Sequence, residues 1–172
     1  MKRLLLFCLL GVLALDPNPA DAQHKMPAKA AKEIIFQTNQ LVMQYEQLLQ
    51  TIALSGSFPS ESKTIIEESY GPTKNRIFAS KEVIIEDDIN PRFTSGNNTT
   101  DMAVDKYLSN LDIYYVKTDD PTIFLTEKVI SSVKQKTFPY VDVAYTAVYK
   151  SKNRQDTLEY QRVRRVLTVR AD

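Results

Sequence analysis

The chain has one cysteine, one histidine, no tryptophan and only four glycines in 172 residues. A lone cysteine, Cys8, cannot form a disulfide within the chain, so packing alone has to hold the fold. Four glycines leave no phosphate cradle, and no nucleophile elbow is present. Charge of neither sign predominates: 22 basic residues face 21 acidic ones, for a net charge of +1. With no basic stripe interleaved with aromatics, nothing here points to nucleic acid. The histidine is His24, close to the N-terminus, so the side chain most suited to proton transfer near neutral pH is missing from the remainder.

What is present begins with a leader. Met1-Lys2-Arg3 precedes an apolar run from Leu4 to Leu15, too short to span a bilayer, and Ala20-Asp21-Ala22 supplies the small residues of a cleavage site. The order of these features predicts a signal peptide over 1–22, cleavage before Gln23, and a periplasmic or secreted protein. Cys8 sits inside the apolar run rather than after it, which argues against lipid attachment. Removal of residues 1–22 takes away the cysteine and leaves 150 residues, one domain with no transmembrane segment.

The mature chain reads as helices followed by strands. From Pro27 to Leu54, Ile34, Leu41 and Leu48 recur by sevens beside Ile35, Val42 and Leu49, with Phe36, Tyr45 and Ile52 on the same side. This is a long amphipathic helix whose apolar face packs on a sheet, with a coiled-coil dimer as the competing reading. Ser55-Gly56 stops it. Ser60 or Ser62 is positioned to cap a second helix ending at Gly71-Pro72, and a short strand is expected at Val83 to Glu86. After a polar loop from Thr94 to Asn98, Thr99, Thr100 or Asp101 is positioned to cap a third helix with Met102, Val104, Tyr107, Leu108, Leu111, Tyr114 and Tyr115 on its apolar face. Three β-rich runs end the chain: Thr122 to Lys134, Tyr140 to Lys150 and Leu158 to Arg170. Their short connections, one turning at Asn153 with its tolerance of positive φ, predict an antiparallel meander.

Long helix, short helix, short strand, helix and meander form an order that resembles the cone-shaped α+β fold of the nuclear transport factor 2 superfamily, with its SnoaL-like and ketosteroid isomerase-like members. The local match is Ile77-Phe78-Ala79 followed by Val83-Ile84-Ile85-Glu86-Asp87-Asp88, similar to the helix-to-strand passage of such folds. The resemblance implies a pocket between a curved antiparallel sheet and the N-terminal helices. It also implies that an enzymatic member would place an aspartate, histidine or tyrosine inside the cone.

Candidate ligand-binding residues follow from position. Arg165 shares strand parity with Val163, Leu167 and Val169, so an ideal strand turns it inward, where it could hold an anion or pair with Glu127 or Asp142. A β-bulge near Arg164-Arg165 would instead return both to solvent, and is the favoured reading. Tyr45, Tyr107, Tyr114, Tyr145 and Tyr160 either line a mixed pocket or fill the core. Glu86-Asp87-Asp88 could include a general base if burial raised one pKa, but the favoured reading is a solvated strand end leading into Asn90-Pro91, and neither that run nor Asp119-Asp120 has the spacing of a metal loop. The expected function is therefore an exported, non-catalytic binding or interaction domain without cofactor or metal, taking a small ligand or a protein partner, with a homodimer through the sheet as one arrangement. The alternative is a pocket enzyme of isomerase or dehydratase type using a buried carboxylate.

Overall fold

The computed structural model describes residues 26–56, 58–93 and 100–171. The leader, the cleavage site before Gln23, His24 and the polar loop from Thr94 lie outside the described residues. Helix α1, Ala28–Ala53, contains neither glycine nor proline, and its buried residues Thr38, Val42, Tyr45, Leu49 and Ile52 fall three or four apart on one stripe. It ends where Leu54 turns extended; there Ser55 N–H donates to Thr118 O at 2.9 Å and Thr118 N–H to Ala53 O at 3.2 Å. The exit of the helix is thus tied to the segment that enters the large sheet.

Helix α2, Pro59–Tyr70, starts on a proline at its first position, where the missing N–H costs nothing. Its cap is not a serine side chain: Phe58 N–H donates to Glu61 Oε2 at 3.2 Å, while Ser62 is buried within the helix and accepts from Lys117 Nζ at 3.3 Å. The helix closes at Gly71, which turns extended with its N–H donating to Glu67 O at 2.9 Å, and a Cβ at that position would meet the same oxygen at 2.9 Å. Strand β1, Ile84–Glu86, pairs antiparallel with β2, Asp101–Ala103. This second strand was not expected, and it takes Asp101 away from a capping role. Helix α3, Val104–Tyr114, follows at once, its first N–H donating to Val83 O at 2.8 Å, so the small ladder does the work of a side-chain cap.

The large sheet contains β3 (Ile123–Ile130), β4 (Lys134–Gln135), β5 (Pro139–Tyr149) and β6 (Val163–Arg170), all antiparallel, with β5 hydrogen-bonded to the other three. Register places β3 and β4 along one edge of β5: Ile130 faces Val143 and Lys134 faces Tyr140. The first β-rich run is therefore one strand broken twice by an extra residue. One break falls between Thr126 and Val129, where Glu127 adopts φ 53°, alone among the described non-glycine residues in having positive φ. Asn153 does not; it turns the chain with its side chain, Oδ1 accepting from Gln155 N–H at 2.8 Å. The third run is shorter than its alternation suggests, since residues 158–162 form no strand.

The fold is α+β. The core lies between the α1 stripe, Tyr107, Leu108 and Leu111 of α3, and the inward residues Ile123, Leu125, Val141, Val143, Tyr145, Ala147 and Tyr149 of the sheet. Helix α1 is pinned to β3 by polar contacts as well: Gln50 Nε2 donates to Ile123 O at 2.8 Å and Leu125 N–H to Glu46 Oε1 at 3.0 Å. Packing on the sheet, rather than a coiled coil, is thus how this helix buries its face. Among the described residues, no helix is long and apolar enough to cross a membrane.

Candidate functional site

The turn after β1 builds the site. Asp87 Oδ1 accepts from the N–H groups of Ile89 and Asn90 at 3.0 and 3.3 Å, an Asx turn that bends the chain ahead of Pro91. Asp88 is carried into the interior by that bend. The expectation of a solvated strand end is wrong for this segment: Asp87 and Asp88 are 4% and 3% exposed. Asp88 Oδ1 accepts from Tyr107 Oη at 2.8 Å, on α3, and from Tyr149 Oη at 2.7 Å, at the end of β5. The two phenol oxygens lie 3.1 Å apart.

Arg165 reaches this cluster from β6. No bulge interrupts β6, whose register against β5 runs unbroken from Tyr140↔Arg170 to Ala147↔Val163, so Arg164 points to solvent and Arg165 inward. The favoured bulge reading is therefore corrected: the bulge belongs to β3. Arg165 Nη1 lies 2.8 Å from Glu86 Oε2, and its Nε 3.7 Å from Asp88 Oδ2. Its partners are thus the carboxylates after and within β1, and not Glu127 or Asp142.

Burial raises the Asp88 pKa above the ordinary carboxylate value, opposed by the hydrogen bonds from Tyr149 and Tyr107 and by the Arg165 charge. Burial, and then the neighbouring Asp88 charge, holds the Tyr107 and Tyr149 phenols well above their usual pKa, so both remain donors. Tyr145 is raised in the same direction, by burial first and then by Tyr45 and Asp88.

Beside the cluster opens a cavity of about 710 Å³. Leu41, Val42 and Tyr45 of α1 form one wall, residues 77–79 and 83–86 a second, and residues 165–170 of β6 a third, with Tyr145 and Asp88 also lining it. Phe78 packs edge-on against Tyr45 at 5.7 Å between ring centroids. Of the residues singled out from sequence, Arg165, Tyr45 and Tyr145 come together here. Tyr114 lines a separate polar cavity of about 370 Å³ with Asp87, Asn90 and Asn153. Glu127 lies at the β3 bulge, more than half exposed, paired with Arg162 at 3.3 Å and accepting from Thr146 Oγ1 at 2.6 Å. Asp142 bonds Lys134 Nζ and Thr168 Oγ1, whose pulls hold its pKa below the usual carboxylate value. Neither Glu127 nor Asp142 lines the cavity.

The favoured sequence reading puts Asp88 in solvent and does not single out Tyr149 as a site residue. The signal for Asp88 was the inward Arg165 itself: a guanidinium turned into a core requires a buried carboxylate, and the nearest acidic run to a strand end was Glu86-Asp87-Asp88. Among the described residues no three histidine, cysteine or acidic side chains gather as a metal site would require. The fold and site together define an α+β protein with a mixed cavity between its first helix and the edge of its sheet. Comparison with protein-family models, with curated proteins and with solved structures finds no match.

Proposed function

We propose that this chain is an exported binding domain of the cone-like type of the nuclear transport factor 2 superfamily, which holds a small, mostly apolar ligand in the cavity between α1, β1 and β6. The observation that carries the reading is the cavity itself: about 710 Å³, with aliphatic and aromatic walls and polar groups that include Asp88, Glu86 and Arg165. Binding rather than chemistry is favoured by how Asp88 is used. Its Oδ1 already accepts two phenol hydrogen bonds and its Oδ2 faces Arg165, so the carboxylate serves as a structural node. A homodimer through the sheet would use the outer face of β6, where Val166 is 66% exposed. Export is tested by N-terminal sequencing of the protein recovered outside the cytoplasm, which should begin at Gln23.

The test of the cavity is occupancy by a neutral hydrophobic fluorophore, N-phenyl-1-naphthylamine, whose emission rises on leaving water. Wild type should enhance it saturably. Leu167→Trp, which fills the cavity from β6, should reduce the enhancement about tenfold or more while circular dichroism stays unchanged. Equal enhancement by both proteins would place the hydrophobic site elsewhere.

A second reading, proton transfer of isomerase or dehydratase type, is favoured by one observation: Asp88 is buried, lines the cavity and holds its proton more tightly than an ordinary carboxylate. Turnover on a panel of small carbonyl substrates that disappears in Asp88→Asn would establish it in place of the binding reading.

A further inference from the structure

The geometry points to a ligand with a carboxylate head, seated on the Nε/Nη2 edge of Arg165, and an apolar body lying along α1 and β6; this rests on the cavity being a ligand site. The Arg165 side chain is only 10% exposed and lines the cavity. Its Nη1 is taken up by Glu86, whereas Nε and Nη2 are buried and have no hydrogen-bond partner. These two nitrogens lie along one edge of the guanidinium and aim their N–H bonds in parallel, the fork that a carboxylate matches with both oxygens. A buried guanidinium N–H left unbonded is costly, so such an edge marks a place for an acceptor.

Asp88 does not fill the fork. Its Oδ2 stands 3.7 Å from Nε, beyond hydrogen-bonding distance, because Oδ1 is held by Tyr107 and Tyr149. The Nε/Nη2 edge is therefore left without a protein acceptor by the same tyrosines that fix the carboxylate. Glu86 already offsets the Arg165 charge from Nη1, outside the Nε/Nη2 edge, and its side chain is 51% exposed. As a neighbouring negative charge it weakens the pull of Arg165 on a ligand carboxylate and so sets affinity. Leu41, Val42, Phe78, Leu167 and Val169 offer the apolar body its surface.

The experiment is calorimetric titration of the folded protein with decanoate and with 1-decanol, which share a chain and differ in the head. Wild type should bind decanoate about tenfold more tightly than decanol. Arg165→Gln should bring that ratio close to one, and Glu86→Gln should raise it about threefold or more by removing a neighbouring negative charge. Equal binding of the two probes by wild type, or a ratio that Glu86→Gln leaves unchanged or lowers, overturns the carboxylate assignment and leaves the cavity reading in place. No binding of either probe overturns both. If Arg165→Gln does not give the wild-type circular dichroism spectrum, the Glu86→Gln ratio decides alone.

Discussion

Replacing Asp88 by alanine should destabilise the protein by about 3–5 kcal/mol, the range expected when one partner of a buried charged network is removed. The substitution removes the acceptor shared by the Tyr107 and Tyr149 hydroxyls, of which only one can then donate to the other across 3.1 Å, and leaves Arg165 without its second carboxylate, all away from water. Each buried donor left unbonded costs about 1–3 kcal/mol. Asp88→Asn keeps an oxygen where Oδ1 accepts, so its cost should be smaller, about 1–2 kcal/mol at neutral pH. Urea unfolding of the two variants measures the difference; an alanine variant within about 0.5 kcal/mol of wild type would show that the network contributes nothing net.

The same pair gives a pH dependence. The native pKa of Asp88 is raised by burial, so folding favours its protonated form. Below the unfolded value, about 3.9, Asp88 is protonated in both states and contributes no slope. Between that value and the raised native one, the unfolded chain releases the proton while the native chain keeps it, so wild-type stability falls as pH rises. Asp88→Asn has no proton to release. Its stability relative to wild type should therefore climb through this window and level off above it, and a constant difference across the window would mean that the pKa is not raised.

The elements were legible in the sequence to the degree that they are local. The α1 stripe, α3 and the three β-rich runs announce themselves by period, and the parity argument for Arg165 holds because β6 is regular over its whole length. What escaped depends on partners distant in sequence. Strand β2 has three residues, and it becomes a strand because Ile84–Glu86 lies beside it, while the alternation at Leu158 and Tyr160 finds no strand partner. Tyr160 instead donates its hydroxyl to Ile89 O at 2.9 Å.

The candidate site was half legible for the same reason. Composition suggested that carboxylates next to turns sit in water, and for Asp119 and Asp120 that holds. It fails at Asp87 and Asp88, because there the turn is built from the carboxylate itself and is roofed by Tyr107 and Tyr149 from elements that follow later in the chain. Glu127 and Asp142 show the converse. Lying inside a strand does not make a residue inward: the β3 bulge carries Glu127 outward, and Asp142 bonds Lys134 and Thr168 away from the cavity.

Leu49→Ala should destabilise the protein by about 2–5 kcal/mol, and Leu41→Ala, one helical stripe away, by markedly less. Heptad spacing alone makes the two positions look alike. The structure separates them: Leu49 is 1% exposed within the shared core of α1, α3 and the sheet, whereas Leu41 is half-buried and faces the cavity. Truncating Leu49 leaves a void that packed neighbours on every side cannot close, so the cost includes both lost transfer energy and lost contacts. Truncating Leu41 enlarges a space that already exists, so little beyond the transfer term is lost, about 1 kcal/mol for a partly exposed side chain. Chemical unfolding of both variants at one pH checks the ranking. Equal losses would mean that the wall formed by Leu41 is packed as tightly as the core, and that the cavity is closed in solution.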